Sequence, residues 1–137
     1  LKPYRNSVLP ASLKRLQENP GKLAIHIISH THWDREWYRP LEQFRRLLVT
    51  VMDNVVDKLV APTSGIEHFH LDSQSVLLED YISARPHLKG LMADLLANDQ
   101  LGVGPWYTSP DEFLSSGEAL ARNLAYGIRA VREFRPG

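Results

Sequence analysis

The hydrophobic positions of the chain change their spacing several times between Leu23 and the carboxyl terminus. Leu23 to Ser29 (LAIHIIS) is a short, nearly continuous apolar run, which predicts a buried strand of the parallel type. Glu67 to Asp72 (EHFHLD) and the Gly-rich Leu101 to Pro105 are weaker strand candidates. A helical pattern follows each of these runs. The sequence therefore predicts strands that alternate with helices.

The helical segments have apolar residues at three- and four-residue steps. The longest begins after Pro40, contains Glu42 in its first turn and is broken at residues 61–65. Its apolar face comprises Leu41, Phe44, Leu48, Val51, Met52, Val55 and Leu59. Further helices are predicted over Val76–Ile82, from Pro86 to Asn98, and from Ser116 to about Phe134, the last with Leu120, Leu124, Ile128 and Val131 on one face.

This alternation predicts an α/β fold in which parallel strands are joined by right-handed helical crossovers, as an open sheet or a barrel. The strand candidates are too few to close a barrel, and the chain ends where another strand should begin. We therefore expect a part of a larger α/β unit. Residues 1–22 contain Pro3, Pro10 and Pro20 and are interpreted as a lead-in segment with a helical turn around Ala11–Gln17.

Composition narrows the possible partners and cofactors. The chain has 137 residues, 16 basic and 16 acidic side chains and no charged block, so neither a nucleic acid nor a membrane surface is an expected partner. It has no cysteine, so a metal would have to be held by His and carboxylate side chains. No apolar stretch reaches the length of a signal peptide or a membrane span, and a cytoplasmic location is expected.

Polar residues follow the carboxyl end of each predicted strand. They are His30 to Tyr38 (HTHWDREWY), Asp72 to Gln74, and Trp106 to Glu112. In parallel α/β folds the loops at this edge converge and bind ligands. We therefore expect the three loops to form one site.

His32 and Asp34 are separated by one residue, so in an extended segment their side chains point to the same side. An imidazole nitrogen and a carboxylate oxygen could then both bind one zinc ion at ~2.0–2.2 Å. Alternatively, His32 is a surface histidine and Asp34 caps a helix. His30 and His32 also form the His-x-His pair of metal-dependent amidohydrolases, and spacing alone does not choose between these possibilities.

Four segments of the sequence, considered together, resemble one known family. The run SHTHWDREWY, followed by LDSQSVLLEDY, GPWYTSPDEFL and RNLAYG, resembles the catalytic domain of glycoside hydrolase family 38, the zinc α-mannosidases. The resemblance extends over about residues 23–134 and is strongest to bacterial-type members, including mannosylglycerate hydrolases. It implies that residues 23–137 are the amino-terminal portion of the catalytic domain and the opening part of a seven-stranded α/β barrel.

The resemblance also implies roles for individual residues. His32 and Asp34 correspond to two zinc ligands, Trp37 to an aromatic residue against the sugar ring, and His30 to a supporting residue. The nucleophilic aspartate and a further zinc-binding histidine are expected beyond residue 137, so no catalytic residue is assigned within the chain. The implied reaction is hydrolysis of terminal α-linked mannose with retention of configuration, from oligosaccharides or small mannosides.

The remaining polar residues of the loops have less specific predictions. Asp72 is a candidate substrate-binding residue, and Gln74 could also contact a ligand, although both could instead cap the helix that starts at Val76. Asp111 and Glu112 are expected to cap or shape a turn. Arg122 and Asn123 are expected to pack the last helix against the loops.

These observations leave one main functional hypothesis and two alternatives. The main hypothesis is a zinc α-mannosidase whose partner is an α-mannoside, with this chain inactive by itself and a homo-oligomer possible. A metal-dependent amidohydrolase would use His30 and His32 with a metal-bound water, but it leaves Asp34 and Trp37 without a role. The other alternative is a carbohydrate-binding fragment without catalytic activity.

Overall fold

The structure is a computed structural model that describes residues 26–61 and 63–134. The predicted lead-in segment of residues 1–22, with its helical turn at Ala11–Gln17, lies outside the described residues, as do the first three residues of the predicted strand LAIHIIS. Within the described ranges, no helix is long and apolar enough to cross a membrane.

The first described helix, α1 (Leu41–Val60), begins and ends where the sequence predicts. Pro40 precedes it, Glu42 lies in its first turn and Lys58 in its last, so both side-chain charges complement the helix dipole. The buried face is formed by Phe44, Leu48, Met52, Val55, Val56 and Leu59. This is the predicted apolar face, with Val56 added and Leu41 and Val51 at its partly exposed border.

Two short parallel strands lie side by side in the order of the chain. β1 (Phe69–His70) pairs with β2 (Leu101–Gly102), with Phe69 opposite Leu101. The segment before β1 in sequence pairs with its other edge through a parallel bridge between His30 and His70. The chain at Ser29 and His30, where the first predicted strand ends, is therefore a parallel neighbour of β1, and β1 in turn pairs with β2.

The strands are nevertheless shorter than predicted. β1 and β2 each have two residues. After β1, Asp72 and Ser73 have φ angles of 45° and 65°, and after β2 Gly104 has a φ angle of 73°, so the backbone leaves the extended conformation soon after each strand. The expectation of a buried strand at Leu23–Ser29 is wrong for its described part, because residues 26–29 form no strand and Ile27 and Ile28 are exposed.

Three more helices follow in the described part of the chain. α2 (Val76–Ala84) is two residues longer than predicted, and α3 (Lys89–Ala97) is preceded by a 3₁₀ turn at Pro86–Leu88. α4 (Gly117–Arg132) starts after Ser116, whose Oγ accepts a hydrogen bond from the Ala119 amide at 3.2 Å. This contact satisfies one of the free amides at the helix start.

The hydrophobic core lies between α1, α2, α3 and the two strands. Its most completely buried side chains are Leu48, Met52, Leu71, Val76, Leu77, Leu78, Tyr81, Met92, Leu96 and Leu101. Because Leu71 and Leu101 belong to this core, the loop after β1 and the start of β2 are attached to its packed interior. The polar residues that follow β1 are thus held on a rigid support.

α4 packs through the predicted face, but the helix is rotated so that Gly127 and Ala130, rather than Ile128, are buried. Leu120, Leu124 and Val131 are only partly buried, and Ile128 is 38% exposed. The buried positions are Gly127 and Ala130. A Cβ atom at Gly127 would overlap the backbone of residues 105–107, so the helix approaches this loop through its smallest residue.

Candidate functional site

The loops after the His30 bridge and after β1 meet at one edge of the sheet. His32 Nδ1 lies 2.9 Å from Asp72 Oδ2, which is a hydrogen-bonding distance between residues 40 positions apart in the sequence. Asp72 reaches this position because the chain turns sharply at Asp72 and Ser73. An aspartate tolerates this left-handed conformation better than most residues, since its short polar side chain can bond locally.

His32 and Asp34 point to the same side of their loop. His32 Nε2 lies 3.6 Å from Asp34 Oδ1, and the two side chains are 70% and 49% exposed. The pair is therefore open to solvent and close enough for both groups to reach one cation. The alternative of a helix cap at Asp34 is wrong, because the next helix begins after Pro40.

Among the described residues, this edge provides a pair of candidate metal ligands. Within residues 26–61 and 63–134, no group of three or more His, Cys, Asp or Glu side chains is arranged to hold a metal ion. The candidate pair His32 and Asp34 would accordingly need further ligands from outside the described ranges.

Asp72 is surrounded by histidines. Its other carboxylate oxygen, Oδ1, lies 3.7 Å from His30 Nδ1, beyond hydrogen-bonding distance. The Asp72 side chain is 26% exposed, much less than that of His32. Asp72 therefore contacts His32 directly and does not cap α2, which starts after Ser75 without a capping hydrogen bond from that side chain.

His70 supports the turn that carries Asp72, and the sequence analysis did not single it out. Its Nδ1 accepts a hydrogen bond from the Ser73 amide at 3.4 Å. Burial lowers the pKa of His70, against an opposing effect of the Asp72 charge, which favours the neutral imidazole needed to accept this bond. The ring fills the space in which a side chain at residue 102 would lie, so Gly102 keeps room for it. In the sequence, this supporting role was indicated by a histidine near the end of the predicted strand Glu67 to Asp72.

Trp37 presents an exposed indole near the candidate pair in sequence. The side chain is 75% exposed. Trp33, four residues earlier, packs instead against Phe44 of α1, with ring centroids 6.0 Å apart in an edge-to-face arrangement. One tryptophan thus anchors the loop to the core, while the other leaves a flat apolar surface available for a ligand.

Arg35 fixes the same loop to α2. Its Nε and Nη2 donate to the two carboxylate oxygens of Asp80, at 2.8 and 3.1 Å, and Arg45 Nε approaches Asp80 at 3.4 Å. The hydrogen bond to Asp80 raises the pKa of Arg35. The partner of Arg35 thus lies 45 positions away in the sequence, on α2, and not in the same loop.

Gln74 has a supporting role. It is buried, and its Nε2 donates a hydrogen bond to the Trp33 carbonyl oxygen at 2.8 Å. The expectation that this amide contacts a ligand is wrong, because the group is enclosed and joins the loops that carry His32 and Asp72.

The loop after β2 is held by Asn123 of α4, as the sequence analysis predicted. Asn123 Oδ1 accepts hydrogen bonds from the amides of Tyr107 and Thr108, and its Nδ2 donates to the Thr108 carbonyl at 2.7 Å. Arg122 instead pairs with Glu118 on its own helix. These contacts place the loop against α4.

Two other polar features of this loop are also structural. Tyr107 donates its hydroxyl to Glu79 at 2.7 Å, and burial together with this bond raises the pKa of Tyr107 to about 12. Asp111 Oδ1 accepts a hydrogen bond from the Phe113 amide at 3.2 Å, and Glu112 is exposed. Asp111 thus shapes a turn, as expected, and Tyr107 remains protonated over the physiological pH range.

Comparison with known families gives one match over most of the chain. The family described as "Glycosyl hydrolases family 38 N-terminal domain" matches residues 22–135. A protein from Halalkalibacterium halodurans named "Putative mannosylglycerate hydrolase" is 43% identical over 113 residues, which are 82% of this chain and 12% of that protein.

Solved structures give the same result at the level of the fold. An alpha-mannosidase from Enterococcus faecalis V583 is similar with a TM-score of 0.72 and 37% identity, over 78% of this chain and 12% of that one. A protein in the glycosyl hydrolase family 38 from Enterococcus faecalis has a TM-score of 0.68 and 33% identity, over 80% of this chain and 13% of its own. The chain thus spans about an eighth of the length of these relatives.

Proposed function

The chain belongs to glycosyl hydrolase family 38, and we propose that the protein is a zinc-dependent α-mannosidase that hydrolyses terminal α-linked mannose with retention of configuration. The observation that carries the proposal is the open pair of His32 and Asp34 at the carboxyl edge of the parallel strands. Ligand sites of parallel α/β folds lie at this edge.

The donor atoms of this pair suit zinc. An imidazole nitrogen and a carboxylate oxygen are common zinc ligands, and their exposure leaves room for substrate. We propose that the other ligands and the nucleophilic aspartate come from residues outside the described ranges. A bound zinc ion would supply a fixed positive charge that orients the hydroxyl groups of the sugar and stabilises the charge of the transition state.

The residues of this edge would have separate roles in binding the metal and the sugar and in supporting the loop. His32 and Asp34 would hold the metal, and the exposed indole of Trp37 would provide an apolar face for the sugar ring. The loop that carries His32 and Asp34 would be kept in place by two contacts. Arg35 in this loop bonds to Asp80, and Gln74 after β1 bonds to the Trp33 carbonyl oxygen. We further propose that the parallel segments seen here form part of a seven-stranded α/β barrel.

The proposed substrate is a mannoside, because this is the substrate class that the names of the relatives have in common. Their names refer to an alpha-mannosidase and to a mannosylglycerate hydrolase, and both names denote hydrolysis of a mannoside. The amidohydrolase alternative is not supported by this family membership, and it would leave the Asp34 carboxylate beside His32 without a role.

The proposal is tested by activity and metal content in the full-length protein. His32→Ala and Asp34→Ala should each lower kcat for an aryl α-mannoside by at least about a hundredfold, because loss of a residue that only supports a metal ligand already reaches about that size. Trp37→Ala should mainly raise KM and leave the zinc content unchanged. His87→Ala, which removes an exposed histidine, is the matched control and should behave as wild type.

Chelation provides a second arm of this test. Removal of metal should abolish hydrolysis, and added zinc should restore it. Normal turnover by the His32→Ala variant, or activity that survives complete removal of metal, would disprove the proposed function.

A further inference from the structure

We propose that Asp72 is a positioning residue that holds His32 in the orientation of a metal ligand, rather than a residue that contacts the substrate. The inference rests on the proposed zinc site and deepens it. It begins from the contact between His32 Nδ1 and Asp72 Oδ2 at 2.9 Å.

This contact orients the His32 ring and matches the tautomer whose proton is on Nδ1. In that tautomer the Nδ1–H group donates a hydrogen bond to the Asp72 carboxylate. In a neutral imidazole the other nitrogen, Nε2, then has a free lone pair. Nε2 is the nitrogen that faces Asp34, so the orientation set by Asp72 directs the ligand atom toward the second candidate ligand.

The spacing between the two candidate ligands fits a shared metal better than a direct bond. His32 Nε2 and Asp34 Oδ1 are 3.6 Å apart, which is too long for a hydrogen bond. Two atoms bound to one tetrahedral zinc at ~2.1 Å are separated by ~3.4 Å. Little movement is therefore needed for both groups to bind one ion.

Asp72 is suited to positioning because the strands fix its own place. Leu71 is fully buried, and its amide donates to the Gly102 carbonyl oxygen at 2.9 Å. The following turn is held by the bond from the Ser73 amide to His70. The Asp72 carboxylate is thus carried by the core, whereas His32 lies on a loop with a largely exposed side chain and gains its order from this contact.

A carboxylate in this position has a defined effect on a metal site. It fixes the imidazole orientation and raises the basicity of the ligating nitrogen, and its loss typically lowers metal affinity by about 10–100-fold. A substrate-binding aspartate would instead affect KM and leave metal affinity alone. The two roles therefore differ in a measurement that does not involve catalysis.

The experiment measures zinc affinity of the full-length protein by competition with a chelating dye. Asp72→Ala should raise the zinc dissociation constant about 10–100-fold. Asp72→Asn should raise the dissociation constant less, because its amide oxygen can still accept a hydrogen bond from the Nδ1–H group, and this milder variant serves if the alanine variant does not fold. Asp94→Asn, an exposed carboxylate change on α3, is the control and should bind zinc as wild type does.

Cobalt substitution separates positioning from direct ligation. At saturating cobalt, Asp72→Ala should keep the wild-type visible absorption spectrum, since the ligands are unchanged, whereas His32→Ala should alter it. Unchanged zinc affinity in both Asp72 variants, or a cobalt spectrum altered as in His32→Ala, would overturn this inference. A wild-type protein that binds no zinc would instead refute the proposed function on which it rests.

Discussion

At the scale of single residues, the bond between Arg35 and Asp80 fixes the loop that carries the candidate metal ligands. Arg35 follows Asp34 directly, and both of its bonds reach the same carboxylate. The Asp80 side chain is almost completely buried, so its negative charge is compensated by the guanidinium groups of Arg35 and Arg45 and little by water. Loss of one partner of such a pair leaves a buried charge that is poorly compensated.

We predict that Arg35→Ala lowers the free energy of unfolding by about 2–3 kcal/mol, somewhat below the range for completely buried pairs, because Arg45 remains near Asp80. Urea denaturation measures the change. Arg122→Ala breaks the exposed pair with Glu118 and should cost less than about 1 kcal/mol. Equal losses in the two variants would show that the Asp80 pair has no special importance.

The sequence predicted the relative positions of residues that are close along the chain, but it did not predict contacts between distant residues. The one-residue gap between His32 and Asp34 was sufficient to place them on one side, because that geometry is local. The partners Asp72 for His32 and Asp80 for Arg35 are 40 and 45 positions away, so only the folded chain reveals them. Gln74 shows the opposite failure, because its polarity suggested a ligand contact although its amide is buried between loops.

At the scale of secondary structure, α4 is positioned by its glycine. Gly127 lies against the backbone of residues 105–107, in the loop that also receives the hydrogen bonds of Asn123. The helix and the loop after β2 therefore form one unit, in which close backbone approach replaces the packing of large side chains.

We predict that Gly127→Ala destabilises the protein by about 1–3 kcal/mol, because the added methyl group overlaps backbone that cannot rotate away. Thermal unfolding provides the measurement. Gly90→Ala is the matched control, since a Cβ atom there meets nothing within 4 Å and alanine is a better helix former by up to about 1 kcal/mol. A Gly127→Ala protein as stable as wild type would contradict this description of the contact.

The helices were predicted more accurately than the strands. Apolar spacing, Pro40 and Ser116 mark helix boundaries through interactions within a few residues. The strands depend on distant partners and end two residues before φ becomes positive at Asp72 and Gly104, which the apolar runs do not indicate. The predicted face of α4 was correct for Leu120, Leu124 and Val131, which are partly buried, and wrong for Ile128, because the close contact at Gly127 turns the helix toward Ala130.

At the scale of the whole molecule, the described residues form a core of helices and parallel strands with one open polar edge. The family-level similarity extends over residues 22–135, whereas the chain spans about an eighth of the length of its relatives. The edge presents His32, Asp34 and Trp37 to solvent. We propose that this surface faces the substrate in the full-length enzyme.

The most direct test of this account is anomalous diffraction at the zinc absorption edge from crystals of the full-length protein. We predict a zinc peak at ~2.0–2.2 Å from His32 Nε2 and from a carboxylate oxygen of Asp34, with His32 Nδ1 hydrogen-bonded to Asp72. A zinc ion held entirely by other residues, or no zinc peak at this edge in protein that hydrolyses α-mannosides, would contradict it.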